Sequence, residues 1–431
     1  MITGTSMLLL HLSDIHFHSD DIRRPDDPNR GLRDDIIQDV REMRRRLQKD
    51  TDCILISGDI AFAGKEKEYD FAFEWLVQLC SAAGCDIENI FVVPGNHDVD
   101  RNESKSPMHA DARIKLRGVA VKDADYEMTR YLRDPASSEM LFRPIHAYNR
   151  FAAKFWCDID AFSDADDEKR PYACRDFDLN DGSVLRLWGF NSVLVCDEHD
   201  AKDTMYVDPS AAQVIERSDS VVDIVLCHHP YDWLRNSANF RERVEGVAKL
   251  HLFGHEHTRR VDQNIDFTAI RAGAVHPDRD GPEWKPGYNF IEVAVDGSPE
   301  NRRLEGKIWV RQREGVRFIA VPDRKGIDPW TFSHELPAWQ AAAEVDLVEE
   351  TFEFTSSHGE QAVPGSALNV RSLAVKMLSL REHEQRKIII ELGLDQDGDQ
   401  SLLDYELALT AIRRAEERGE LEALDAAIDA V

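Results

Sequence analysis

Five short polar clusters stand where apolar, β-prone runs end: Asp14-Ile15-His16, Gly58-Asp59, Gly95-Asn96-His97-Asp98, His228-His229 and Gly254-His255-Glu256-His257. Carboxylates, imidazoles and one carboxamide form a mixed nitrogen and oxygen donor set. That set suits manganese, iron, zinc or nickel better than an all-oxygen calcium shell, and magnesium can also be argued. Two close cations need negative charge between them, and Asp59, with two carboxylate oxygens, is suited to bridge. Asn96 adds a neutral oxygen, and His228, His255 and His257 add nitrogen. Asp14 and His16 lie two apart at the end of an extended segment, which predicts side chains pointing the same way. His255 and His257 repeat that spacing, but one can serve each ion if a turn separates them. Gly58, Gly95 and Gly254 precede ligands, where a missing Cβ permits tight turns and close approach to an anion. The chemistry expected is hydrolysis of a phosphate ester. Two divalent ions, manganese first, would polarise a bridging water for in-line attack.

The elements that must position these groups are legible in the hydrophobic pattern. Residues 7–12, 53–57 and 90–94 are short apolar runs, each ending at a cluster. Between them, 34–47 and 69–80 repeat apolar residues at helical spacing. Strand, helix, strand, helix, strand predicts parallel strands covered by helices, with ligands beyond their carboxyl ends. Further strands are predicted at 184–190, 221–227 and 249–253. Those at 267–271, 288–295, 306–311 and 316–320 are expected to form a second, partly antiparallel sheet, with turns at Asp296-Gly297 and Glu314-Gly315.

Residues 101–181 break this rhythm and read as a partly helical insertion that rises over the site, with an acidic loop at 164–168. The domain organisation expected is a catalytic domain over 1–325, irregular linking chain over 326–369 with a helix near 338–344, and a helical module over 370–431. Its last helices are predicted at 402–418 and 421–430 around Gly419, with Leu403, Leu407, Ile412 and Ala415 on one apolar face. Asp395, Asp397, Asp399, Ser401 and Glu406 imitate the spacing of a calcium loop. Gln400 stands where such loops need glycine, which favours a plain polar connection.

A chain of 431 residues is long enough for two or three domains. Its net charge of −28 repels polyanions and argues against a long nucleic-acid groove. Seven scattered cysteines without a CxxC pair suit a reducing compartment. The apolar run at 7–12 is too short for a signal sequence or membrane span, so the expected location is cytoplasmic.

In the order Asp-x-His, Gly-Asp, Gly-Asn-His-Asp, His and Gly-His-x-His, the clusters over residues 7–320 resemble the calcineurin-like metallophosphoesterase superfamily. The resemblance implies a four-layer α/β/β/α sandwich of two mixed sheets. It assigns Asp14, His16 and His257 to one metal, Asn96, His228 and His255 to the other, and Asp59 to both. It also casts His97 as the group assisting the leaving oxygen, oriented by Asp98, while adjacent His229 is expected to point elsewhere. Residues 403–427 resemble the death-like, effector-associated helical domains of bacterial conflict enzymes, which implies a protein partner. The leading expectation is a phosphodiesterase or phosphatase acting on a small nucleotide or comparable ester. A DNA or RNA nuclease and a signalling adaptor with a vestigial site are the alternatives. Candidate substrate contacts are His18, Arg23, Arg33, Asn191, Tyr231, Trp233, Arg259 and Arg260.

Overall fold

The computed structural model describes residues 6–22, 24, 27–161, 170–276, 285–341 and 369–431. The expectations for Arg23, the acidic loop at 164–168 and the last three residues of 338–344 fall outside them. The chain divides into two compact units, Met1–Trp339 and Gln340–Val431.

In the first unit, β1 (Met7–Leu12), β2 (Cys53–Ile56) and β3 (Ile90–Val92) are buried along their whole length and pair in parallel. Strands covered on both faces read as unbroken apolar runs, which is why they were visible in the sequence. The crossovers are α1 (Arg30–Leu47) and α2 (Glu66–Ala83). On α1, Leu32, Ile36, Val40 and Met43 bury one face, leaving its arginines outside. After α2, Gly84 takes the left-handed cap at φ 71 and donates its N–H back to the Cys80 carbonyl.

Helices α3 (Pro107–Gly118), α4 (Ala124–Arg133), α5 (Pro135–Phe142) and α6 (His146–Ala152) follow. They make up the helical part of the stretch expected to be an insertion. Tyr148 and Phe151 of α6 pack on Tyr69 of α2. The end of that stretch is β4 (Tyr172–Asp178), an antiparallel edge strand of the core beside β5 (Val184–Phe190). Then come β6 (Val221–Cys227), α7 (Ser237–Val247), β7 (Leu250–Phe253), β8 (Arg260–Gln263) and β9 (Thr268–Arg271). The order of this sheet is β4-β5-β6-β7-β9-β8.

The strands after the last cluster do not form a sheet of their own. While β9 joins β7, the long hairpin β10 (Gly287–Ser298) and β11 (Asn301–Glu314) extends the first sheet by pairing β10 with β1. With β12 (Arg317–Ala320), that sheet runs β12-β11-β10-β1-β2-β3, and β13 (Trp330–Glu335) also pairs with β11. The expected linker therefore begins with a strand, and residues 338–341 are not helical. The expected turn at Asp296-Gly297 lies inside β10, where Gly297 pairs with Arg302. The two mixed sheets pack face to face with helices outside, an α/β sandwich. Their approach is close enough that a Cβ on Gly189 of β5 would come within 2.8 Å of Val93 after β3.

The second unit contains α8 (Val370–Met377), α9 (Glu382–Glu391), α10 (Asp404–Glu417) and α11 (Leu421–Asp429). Leu373, Met377, Ile388, Leu407, Ile412, Ala415 and Leu424 form its core. Leu403 does not join them and is 38% exposed, because it caps α10 through its N–H to Glu406. The calcium-like loop is tied by its own salt bridge: Asp399 accepts two bonds from Arg414, at 2.6 and 2.8 Å.

Candidate metal centre

All seven candidate ligands gather where the carboxyl ends of β1, β2, β3, β6 and β7 meet. Their convergence starts in the backbone. The loop after β1 is bonded to the loop after β2 through Asp14 N–H to Gly58 O, Ile15 N–H to Asp59 O and Phe17 N–H to Ile60 O, at 3.0, 2.8 and 2.9 Å. From the other sheet, Val275 and His276 donate their N–H groups to the Ser13 and Asp14 carbonyls. The His255 N–H reaches Oδ2 of Asp14 at 3.2 Å. These bonds fasten the rims of both sheets to each other.

The expected reason for the Asp14 and His16 alignment does not hold. Neither residue is extended: their φ values are 54 and 49, and Asp59, His255 and His257 are also left-handed at 54, 68 and 54. Only three other non-glycine residues among those described have positive φ. Such backbone is costly for side chains with a Cβ and collects at functional sites. Reversed backbone, not strand alternation, brings the i, i+2 pairs to bear.

The donor atoms form two sets sharing one oxygen. In the first, Nε2 of His16 stands 3.9 Å from Oδ1 of Asp14 and 3.6 Å from Oδ2 of Asp59, and Nε2 of His257 is 3.3 Å from Oδ1 of Asp14. In the second, Oδ1 of Asn96 is 3.0 Å from both Nε2 of His228 and Nδ1 of His255, and Nε2 of His228 is 3.5 Å from the same Oδ2 of Asp59. Ligands about 2.1 Å from one metal ion lie ~3.0 Å apart at right angles and ~3.4 Å apart in a tetrahedron. The edges at 3.0, 3.3 and 3.5 Å lie in or beside that range, and those from His16, at 3.6 and 3.9 Å, are somewhat wider. Oδ1 of Asp14 and Nε2 of His16 are also buried without a hydrogen-bond partner, a costly state that a cation would relieve. The residues fit two metal ions.

Supporting contacts fix these side chains. Nδ1 of His228 faces the Ser57 carbonyl at 2.8 Å, and Oδ1 of Asp59 accepts the His97 N–H at 2.7 Å. Trp233 sets its ring edge-on to His255, with centroids 4.0 Å apart. Two of the glycines also admit close side-chain contacts: a Cβ at Gly95 would stand 2.2 Å from Oδ1 of Asp59, and one at Gly254 2.1 Å from Oγ of Ser13.

Asp98 has a different neighbourhood from the one expected. Its fully buried carboxylate accepts N–H groups from Gly95, Ile60 and Ala61 and the Tyr69 hydroxyl, at 2.8, 3.2, 2.9 and 2.9 Å. It stitches the loops after β2 and β3 together. His97 is oriented instead by the Phe62 carbonyl, 2.8 Å from its Nδ1, and its ring lies 4.5 Å from that of His16.

Without metal, burial and the neighbouring charges pull these groups in opposite directions. Burial alone would lower His228, but the Asp59 carboxylate beside it pushes it up to about 9. His257 is likewise raised by Asp14 against the effect of burial. Burial holds His16 and His255 down at about 3. Burial would raise Asp14, yet His257 and His228 bring it to about 2. Burial and nearby Asp59 push Asp98 up to about 6.

Among the other candidates, Arg33 pairs with Asp27 and lies over Phe71, and Arg260 pairs with Asp262. Tyr231 bonds His251, and Oδ1 of Asn191 accepts the Val193 N–H. These contacts are structural. His18 does reach the rim, 4.4 Å from the ring of Phe62. Sequence reasoning missed Phe62, 40% exposed beside His97, and His276, whose ring is 6.2 Å from His16. A lone aromatic carries no signal, although a histidine following the last cluster could have been flagged.

Residues 369–430 match the GTPase-associated adaptor domain. The metallophosphoesterase-like protein YydB of Bacillus subtilis (strain 168) is 30% identical over 333 residues, covering 72% of this chain and 62% of the relative, so the chain spans less than two thirds of that protein. Among solved structures, a purple acid phosphatase of yellow lupin (Lupinus luteus) aligns at 12% identity and TM-score 0.41, covering 82% of this chain and 58% of the phosphatase. A conserved protein of Streptococcus pneumoniae TIGR4 aligns at 12% identity and TM-score 0.30, covering 77% and 99%. Residues 7–259 match the calcineurin-like phosphoesterase model, more than half of the sequence, and the chain belongs to that family.

Proposed function

We propose that this chain is a dinuclear metal-dependent phosphodiesterase acting on a small nucleotide or similar phosphate ester. The observation that carries the reading is the position of Oδ2 of Asp59, 3.6 and 3.5 Å from imidazole nitrogens of two different donor sets. Asp14, His16 and His257 would hold one ion with Asp59, and Asn96, His228 and His255 the other. Two divalent ions there, manganese first, supply an activated water and neutralise charge on the phosphoryl oxygens.

The chain's own groups do the rest. His97 is half-buried and held from its Nδ1 side by Phe62, so Nε2 is the nitrogen free to donate a proton to the departing ester oxygen. Asp98 acts at one remove, by fixing the loops that carry Asp59 and Asn96. The charge of −28 favours a compact substrate over a duplex. The helical module, matching an adaptor domain associated with GTPases, would join the enzyme to a protein partner of that kind. No helix of the described residues is long and apolar enough to cross a membrane. None of the seven cysteines is in a disulfide, which would suit a reducing, cytoplasmic setting.

The test is a substrate panel on manganese-loaded protein: mono- and bis-aryl phosphates, cyclic nucleotides, single strands and duplexes. Faster cleavage of the bis-aryl diester and a cyclic nucleotide is expected. Processive shortening of DNA would replace this reading with the nuclease, and inertness towards the whole panel with the adaptor.

A further inference from the structure

Residues 191–210 join β5 to the chain before β6 with no helix or strand, only isolated bridges at Val193 and Met205–Tyr206. Connections of this length without regular structure are uncommon in a compact domain unless something holds them. Three of its side chains turn inward. Cys196 and Met205 are 1% and 0% exposed, with their sulfurs 3.2 Å apart, and the Asp200 side chain is 9% exposed. They meet His229, fully buried at the end of β6. One donor atom each from Cys196, Asp200 and His229 lies within 4.8 Å of the other two.

Two polar atoms of this cluster are buried with no hydrogen-bond partner, Nε2 of His229 and Oδ2 of Asp200. Their sister atoms are engaged: Nδ1 of His229 with Oγ of Ser192 at 2.8 Å, and Oδ1 of Asp200 with Arg117 at 2.7 Å and the Asp197 N–H at 2.8 Å. Unsatisfied buried groups of this kind are destabilising and rare. His229 also lies within 4.8 Å of His228 and His255, so it forms a wall of the centre described above. Cys196 and Asp200 have no part in that centre.

We propose that Cys196, Asp200 and His229 form a separate thiolate-containing metal site of the zinc type, which clips the 191–210 chain to the end of β6. Thiolate, imidazole and carboxylate are all donors that zinc takes, and the soft Met205 sulfur lies beside these three. On binding, the Cys196 thiol loses its proton to solvent. Thiolate and carboxylate then cancel the charge of a dication, so the loaded cluster stays neutral and buried. Because His229 follows His228 in sequence, filling the clip also steadies a ligand of the catalytic pair.

Cobalt(II) distinguishes this site from the pair, whose seven donors include no sulfur. Titrating metal-free full-length protein with cobalt should raise a near-ultraviolet sulfur-to-metal charge-transfer band that saturates at one equivalent and is abolished by zinc. Cys196→Ser should lose the band and one equivalent of bound zinc, while Cys174→Ser keeps both. Absence of the band in saturated wild-type protein overturns the proposal, and this arm does not depend on a variant folding. Its survival in Cys196→Ser overturns it equally. Neither result bears on phosphoesterase activity, so this inference and the proposed function stand or fall separately.

Discussion

Left-handed backbone at the candidate ligands leads to a test whose sign, rather than its size, decides. His257 has φ 54 and its side chain is 27% exposed, so truncating it opens little core. His257→Ala and His257→Gly lose the same imidazole and the same contact with Asp14. They differ in backbone alone. A Cβ in the left-handed region costs roughly 1–2 kcal/mol, which glycine avoids. Glycine gives back about 0.4–1 kcal/mol through the greater freedom of its unfolded chain. The glycine variant should therefore be the more stable by about 0.5–1 kcal/mol. At an extended or helical position alanine would win by a similar amount.

The measurement is urea unfolding of both variants in chelator, followed by tryptophan fluorescence. All eight tryptophans precede Gln340, so the signal reports the first unit and is blind to the second. A higher midpoint for His257→Ala would refute the left-handed geometry, and with it the account of how residues two apart supply different ions. Five such residues together represent about 5–10 kcal/mol, comparable with the net stability of a whole domain. At Asp14 and His16 that backbone is held by the N–H groups of Asp14, His16 and Phe17, which are bonded to the loop after β2.

Asp59→Asn should keep the fold, since an amide oxygen can still accept the His97 N–H. It should weaken metal binding by at least about 10–100-fold, read as metal content after gel filtration, because even a residue behind the ligands is worth that much. His97→Ala should keep metal content and lower turnover by roughly 10²–10⁴-fold, and unchanged turnover would remove it from the chemistry. Metal loading should release protons, as His228 at about 9 must lose one to bind; apparent affinity should fall by about tenfold per pH unit below that, measurable by calorimetry in buffers of different ionisation enthalpy. In chelated protein the same raised value makes the His228–Asp59 contribution complete below 6.5 and lost as pH rises through about 9, so urea midpoints should decline over that interval. Calcium should leave the melting of the helical module unchanged, because Arg414 already occupies Asp399.

What could be read from the sequence followed from periodicity. The strands β1, β5 and β6 fall on the residues predicted, because buried parallel strands leave uninterrupted apolar runs bounded by polar clusters. Sheet membership was not legible. A strand such as β9 carries the same alternation whichever sheet it joins, and pairing depends on long-range register. β4 was lost inside a polar stretch because it is an edge strand that fully buries only Ala173 and Arg175. At the centre, donor types and order were visible, but the backbone that aims them was not. Aspartate and histidine are enriched among side chains at positive φ, but that preference does not single out individual positions. Asp98 likewise looked like a partner for its neighbour His97, whereas its bonds to Ile60, Ala61 and Tyr69 cross between separate loops.

The two kinds of metal site argued for this chain should respond differently to metal removal, for a reason visible in their surroundings. The dinuclear set is built on rims that backbone hydrogen bonds already fasten together, so its ligands are in place before an ion arrives. Binding energy there is not needed for folding and remains available to hold phosphate oxygens and an activated water. The Cys196 cluster draws its loop donors from chain without regular structure, where coordination must also order what it binds. There the free energy of coordination is folding energy. Chelation should therefore stop turnover while leaving β1, β2 and α2 protected from amide exchange, and should loosen residues 191–210 in particular. Uniform loss of protection across the first unit would mean that the catalytic rims, too, are assembled by their ions.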